Sequence, residues 1–262
     1  MTNSNRSRSI PLFCGLILLA ILALVTVQAA NAAPPDAQAK RSPLLAALQA
    51  ELERSMKTLS ALEPPAYYMG YTITETQRVD VSGSNGALLN SNEGRNRWLE
   101  VSVRTGKYEL DNSHKVGERQ MASGGPGAPA PIDDDAKVLR RTIWLETDKQ
   151  YRAASEALIK IKTGKEVKVE TTEGHAPDFS REEPHTFIGP QVSIAVDRKP
   201  WEERVRGYTK AFRESPAIIN SIVTFSAQAQ NVYQVTSEET QLQFGQIRYR
   251  LEIGRASCRE RV

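Results

Sequence analysis

Apolar positions change period along the chain, and the changes divide it into elements. Leu44, Leu45, Leu48, Leu52, Met56 and Leu59 recur at helical spacing, with Glu51, Glu53, Arg54 and Lys57 mostly elsewhere. Ser42 at the N-cap and Pro43 at the first helical position open this helix, and Pro64-Pro65 ends it. Its polar face carries both charge signs, which favours a core-facing helix over one lying on a membrane. From Ala66 to Leu110 the period falls to two. Tyr67, Met69, Tyr71 and Ile73 alternate with smaller or polar residues, as do Leu99, Val101 and Val103, while Ser82 to Gly86 and Asn92-Glu93-Gly94 punctuate the run. Three or four antiparallel strands are expected there.

Residues 117–135 hold Gly124, Gly125, Pro126, Gly127, Pro129 and Pro131, and read as a flexible loop. A phosphate-binding reading fails because no strand leads in, no Gly-Lys-Ser/Thr follows, and proline removes amide donors. Asp133, Asp134 and Asp135 sit where a helix N-terminus favours negative charge; they lack the spacing and glycine of a calcium loop. The helix after them shows an apolar stripe of Val138, Leu139, Trp144, Leu145, Tyr151, Leu158 and Ile159, with a break expected near Asp148. Extended chain is expected from Glu166 to Lys199, with Val167 and Val169 in a short strand, and then a helix from Trp201 to Arg213. Ile218 to Ala227, Val232 to Val235 and Leu242 to Leu251 read as strands of a second meander. This order predicts an α+β fold of antiparallel sheets with packed amphipathic helices over residues 43–252.

The two ends read differently. Arg6 and Arg8 precede an apolar run from Ile10 to Val27, and Ala30-Asn31-Ala32 supplies small residues for cleavage before Ala33, so residues 1–32 read as a signal peptide. A retained anchor is the rival, because the run approaches the length of a membrane span. Export to the periplasm or beyond the cell follows from either reading. Residues 33–42 form a polar leader. At the other end, residues 253–262 break the alternation with an arginine-rich stub that resembles a translated sequencing adapter, and are expected to be an artefact.

Trimming alters the charge picture. Taking five arginines and one glutamate from 34 basic and 31 acidic residues leaves 29 and 30, a net charge of −1. The basic pI of the whole chain is then no sign of nucleic acid, and no nucleic-acid partner is expected. Cys14 and Cys258 both fall in the trimmed ends, so the remainder has no disulfide, thiol nucleophile or thiolate metal site. Overall composition, 40% hydrophobic and 6% aromatic, excludes collagen, a coiled coil, a polytopic membrane protein and a disulfide scaffold.

Residue chemistry yields no active site. His114, His175 and His185 have no metal-pair spacing; Asp178, Glu182 and Glu183 between the last two make a carboxylate-histidine site conceivable, but a polar loop explains them equally. Glu202-Glu203 and Glu238-Glu239 read as solvated faces rather than acid/base pairs. No catalytic, cofactor-binding or metal-ligating residue is assigned.

Several strings carry a family likeness: Tyr68 to Glu75, Ser84 to Leu89, Gly106 to Asn112, Thr147 to Tyr151, Pro177 to Pro184 and Trp201 to Val205. They resemble the exported branch of the TldD/PmbA family of zinc metallopeptidases and related proteins, also called modulators of DNA gyrase. The resemblance implies an N-terminal fragment of an exported peptidase acting on peptides or unfolded protein, with zinc held further on by a His-Glu-x-x-x-His helix. No residue of that motif occurs in this chain, so the fragment itself is expected to be inactive. It also implies a missing C-terminal domain, homo- or heterodimerisation, and peptide contact at a sheet edge. An exported non-catalytic binding or scaffold module is the alternative.

Overall fold

A computed structural model describes residues 40–114, 127–167, 177–214, 218 and 221–254, with side chains in the second span described to residue 164. Helix α1, Pro43–Leu59, begins as its sequence dictates: Ser42 Oγ accepts a hydrogen bond from Leu44 N at 3.2 Å. Leu44, Leu45, Leu48 and Leu52 are buried, and so are Glu51 and Ser55 on the same face. Glu51 therefore departs from its expected place on the polar side. Arg54, three residues on, pairs with its carboxylate, and this partner makes the burial tolerable.

The alternating run resolves into two long strands, β1 (Ala66–Ser84) and β2 (Ala87–Lys107), followed by the short β3 (Leu110–Asp111). Only one of the two punctuated sites is a turn. Asn85 and Gly86 take φ of 48° and 80°, the pair of left-handed residues that a tight hairpin with right-handed strand twist requires. Asn92-Glu93-Gly94 instead stays in the ladder, opposite Asp80, Val79 and Arg78.

The expected loop is likewise partly structured. Ala128–Pro129 forms β4 against Trp98 and Leu99, and Ala130 N donates to Arg97 O at 2.9 Å. Residues 117–126 of that expectation lie outside the described residues. Helix α2, Ala136–Val167, is capped by Asp135, whose Oδ1 accepts from Lys137 N at 2.8 Å. It runs unbroken past Asp148, and Val167 is its last residue rather than part of a strand; Val169 lies outside the described residues. The buried stripe is Leu139, Ile143, Thr147, Tyr151, Ala154, Leu158 and Ile161. Val138, Leu145 and Ile159 are exposed on the far side of the helix, and Trp144 is exposed at the edge of the stripe.

Strand β5, Thr186–Ile188, precedes helix α3, Arg198–Ala211, which Asp197 caps through Lys199 N at 3.1 Å. A 3-10 turn, Phe212–Glu214, ends it. The last two strands are β6, Val223–Thr236, and β7, Gln241–Ile253. No turn divides Ala227 from Val232, because Gln228, Gln230 and Asn231 keep the alternation and the register with β1. The second meander is therefore a correction: β6 lies beside β1, and one sheet runs β3-β2-β1-β6-β7-β5, with β4 beside β2. All its pairs are antiparallel except β5 with β7. The α+β class holds, with one sheet in place of several.

Three helices cover one sheet face. Around α1 and α2 the core contains Leu45, Leu48, Met69, Tyr71, Ile73, Leu99, Ile143 and Tyr233. A second cluster under α3 gathers Val79, Val81, Val205, Phe225, Ala227 and Ala229, with Trp201 stacked on Phe225. Two side-chain amides clamp residues 190–196 over it. Gln77 exchanges hydrogen bonds with Ile194 (2.9 and 3.1 Å) and Asn231 with Val192 (2.8 and 2.9 Å). Both amides satisfy backbone groups that a loop on an apolar floor would otherwise leave bare. The other face carries Thr72, Thr74, Thr76, Gln228 and Gln230, all partly exposed. At its end β7 reaches Ile253, one residue beyond the expected boundary at 252, and Ile253 pairs with Val223. Among the described residues no helix is long and apolar enough to cross a membrane; the expected signal segment lies outside them.

Candidate functional site

At the end of β1 and β2 away from the Asn85-Gly86 turn, side chains from five separated segments meet. Arg104 of β2 follows the buried Val103, so the pleat sends it to the face opposite the helices. Its Nη1 donates to Asp111 Oδ2 at 2.7 Å and to Ser113 Oγ at 2.8 Å, and its guanidinium lies 3.9 Å from the centre of the Phe179 ring. Asp111 is wholly buried. Tyr67 donates to its Oδ2 at 2.6 Å, and Ser113 N and Oγ both reach Oδ1 at 2.6 Å.

Two further carboxylates fasten the rim. Asp178 accepts from Asp111 N at 3.0 Å and contacts His114 Nδ1 at 2.6 Å. Glu238, in the turn between β6 and β7, accepts from Tyr108 at 2.8 Å. Rings fill the spaces between: Tyr67 meets Tyr108 edge-on at 4.6 Å, and Tyr68 meets Phe179 edge-on at 4.8 Å.

Charge placement sets the proton states. Burial works against ionised Asp111, but the donors Ser113, Tyr67 and Arg104 outweigh it and hold the carboxyl below the usual range. Burial and the adjacent Asp111 carboxylate push the Tyr67 hydroxyl far above its ordinary value. Burial and Glu238 push Tyr108 up to about 12, and the same two influences raise Tyr68. Tyr67 and Tyr108 therefore stay protonated and act as donors at neutral pH. His114 and Asp178 form an oriented imidazole–carboxylate pair, but Asp111 is fully engaged as an acceptor and Asp178 also holds a backbone amide. This arrangement ties segments together rather than activating water or a nucleophile.

The structure sorts the remaining sequence candidates. Asp178 meets His114 and not His185, which is exposed and whose amide donates to Thr240. His175 lies outside the described residues. Glu182 accepts from Ser180 Oγ at 2.7 Å, and Glu183 is exposed. Glu202 accepts from Ser91 while Glu203 faces solvent, and Glu238 serves Tyr108 while Glu239 is exposed, so neither couple is an acid/base pair. The Asp triplet disperses: Asp135 caps α2, Asp134 pairs with the buried Arg97 at 2.9 Å, and Asp133 is exposed. Among the described residues no group of three or more His, Cys, Asp or Glu side chains is placed to hold a metal ion.

Sequence reasoning missed Arg104 and Asp111 as the centre of this cluster. Asp111 lies in the family-like string Gly106 to Asn112, whereas Arg104 lies in none of these strings.

Comparison with known proteins adds names. No protein-family model matches the sequence, and no curated protein matches it. By structure the chain is similar to modulators of DNA gyrase and to TldE. A candidate modulator from Thermotoga maritima has 12% identity and a TM-score of 0.37, covering 76% of this chain and 38% of that one. Another, from Bacteroides thetaiotaomicron, has 10% identity and a TM-score of 0.37, covering 78% and 39%. TldE from Thermococcus kodakarensis has 13% identity and a TM-score of 0.33, covering 79% and 39%. The chain thus spans about two fifths of the length of each of these structures.

Proposed function

We propose that this chain is the N-terminal, non-catalytic part of an exported TldD/PmbA-type protein whose parent hydrolyses peptides or unfolded protein with zinc. One observation carries the reading. Three strings that resemble the family, Tyr68 to Glu75, Gly106 to Asn112 and Pro177 to Pro184, are far apart in sequence yet supply Tyr68, Tyr108, Asp111, Asp178 and Phe179 to a single cluster. Family-like strings that converge on one structural tie are what a shared domain would require, whereas chance matches have no reason to touch.

Among the described residues no group of three or more His, Cys, Asp or Glu side chains converges as zinc ligands would. Hydrolysis is proposed for the parent. Export rests on residues 1–32, with Arg6 and Arg8 ahead of the apolar run and Ala30-Asn31-Ala32 at its end. A sequencing read across the locus from the Glu252 codon tests the assignment. Continuation into a His-Glu-x-x-x-His helix supports a peptidase parent. A frame that continues without the motif removes the activity, and a genuine stop removes the fragment reading altogether.

A further inference from the structure

Gly94 stands in the middle of β2 without a structural reason. The strand runs through it in unbroken register with β1, from Glu93 opposite Val79 to Arg95 opposite Gln77. Its φ lies outside the left-handed region, and a Cβ added to it would meet nothing within 4 Å. Bulge, left-handed backbone and tight packing are therefore excluded as reasons for a glycine that costs the strand stability. Close approach of a ligand is the remaining reason for glycine inside a strand.

The surroundings fit that reason. On the sheet face away from the helices, Gly94 forms part of the lining of a concavity of about 390 Å³. Asn92 and Asn96 flank it on β2, Thr76, Arg78 and Asp80 face it from β1, and Gln228 closes the far side on β6. The side chains of Thr76, Asn92, Asn96 and Gln228 bond to no other described residue, so their donors and acceptors are open to a ligand. Arg78 pairs with Asp80 at 2.5 Å. Glu93 and Arg95 turn to the helix side, where they pair with Arg198 at 3.4 Å and Glu75 at 2.9 Å. The concavity thus carries no net charge.

We propose that this concavity binds a neutral carbohydrate. Each carboxamide and hydroxyl in it can donate and accept, as each sugar hydroxyl can, and the planar amides suit pairs of hydroxyls on neighbouring ring carbons. Matched charges give neither a phosphate nor an ammonium ligand an advantage. An apolar ligand finds no apolar floor. A peptide laid over the concavity finds no strand to join beneath it, because β1 is paired with β2 and β6 on both sides at Thr76, Arg78 and Asp80. Trp98, two residues beyond Asn96 on the same face and 39% exposed, sets an aromatic ring beside the concavity for the C–H face of a second sugar unit. This site goes beyond the peptidase reading and does not depend on a zinc motif in the parent.

The test titrates the 262-residue chain with chitotriose, cellotriose and maltotriose, and follows binding by calorimetry. At least one should bind saturably, with a Kd on the order of 1 mM or tighter. Gly94→Thr, whose branched side chain enters the concavity, should weaken that binding at least about tenfold without lowering the urea midpoint. Asn96→Ala and Gln228→Ala should each weaken it by roughly threefold to tenfold at an unchanged midpoint. Gln246→Ala, on the same face but outside the concavity, should leave it within about twofold. Should Gly94→Thr lower the midpoint, the Asn96 and Gln228 variants carry the test alone. Failure of all three sugars to bind saturably overturns the proposal, and so does binding that these variants weaken no more than Gln246→Ala does. A site that takes an unstructured peptide and no sugar, with the same dependence on Gly94, overturns it as well.

Discussion

Two long hairpins form most of this sheet, and they differ in how much of their apolar surface the helices reach. In the first, β1 and β2 both bury their inward residues: Met69, Tyr71, Ile73, Val79 and Val81 on one strand, Leu99, Val101 and Val103 on the other. In the second, β6 buries Val223, Phe225, Tyr233 and Val235, while β7 leaves Ile247, Tyr249, Leu251 and Ile253 exposed. From Ile247 to Ile253 the alternation in β7 is as regular as that in β1. Alternation therefore tells which residues share a face, and only the reach of α1, α2 and α3 over β1, β2 and β6 decides which faces become core.

The feet of the hairpins offer the largest test. Asp111→Ala removes the acceptor for Tyr67 and Arg104 within a buried site, leaving a guanidinium without its carboxylate. We expect a loss of about 4 kcal/mol in denaturant unfolding, as when one member of a buried pair is deleted. A loss below about 1 kcal/mol would show that the tie between the strings is incidental, and would remove the support it gives to the proposed function.

The contrast between hairpins is tested directly by a matched pair of truncations. Ile73→Ala, at a fully buried position of β1, should cost about 3 kcal/mol. Ile247→Ala on β7 should stay within about 0.5 kcal/mol. Equal losses would mean that β7 is covered in solution by something else.

pH separates the charges that hold the first hairpin from those that join it to the second. The Asp111 carboxyl lies below its unfolded value, so its contribution is complete above that value, about pH 4, and declines as pH falls through the folded one. The stability gap between the native chain and Asp111→Asn should be constant from neutral pH down to about 4, then narrow. Tyr108 behaves oppositely. Raised from 10.0 to about 12 by burial and Glu238, its contribution is complete below pH 10.0 and lost as pH rises through about 12. The gap to Tyr108→Phe should close there. A Tyr108→Phe gap unchanged across that range would remove the Glu238 contact between the hairpins.

Turns differ by one residue type, and this too is measurable. The first hairpin turns on Asn85-Gly86, whereas the second places Glu239 at φ 64°. Gly86→Ala should cost about 1 kcal/mol, because alanine resists a φ of 80°. Glu239→Gly should gain a few tenths to about 1 kcal/mol by relieving the same resistance. If both changes destabilise, Glu239 is held at that angle by a contact worth more than the strain.

Much of this fold was legible in the sequence for stated physical reasons. The Ser42 cap, the helix that follows it, the α2 start at the Asp triplet and the period-two runs all follow from local chemistry. Less legible were features settled by tertiary contact: the burial of Glu51 by Arg54, the seating of Gln77 and Asn231 as clamps on the 190–196 segment, and the placement of β6 beside β1. The arginine–aspartate cluster lay hidden for the same reason, since Phe179 meets Arg104 and Asp178 meets the Asp111 amide only once the chain is folded.

Gly94 puts the smallest effect on the clearest misreading. Asn92-Glu93-Gly94 has the composition of a turn, yet Gly94 sits in β2 opposite Arg78, and an added Cβ would meet nothing within 4 Å. Glycine inside a strand is entropically costly and packs nothing, so Gly94→Thr should stabilise the chain by about 0.5 kcal/mol. A turn glycine would respond with the opposite sign, so the direction of a small midpoint shift in urea is decisive. Destabilisation would return three or four strands to this region and shorten the first hairpin, and the asymmetry between the hairpins would then lie in their lengths as much as in their cover.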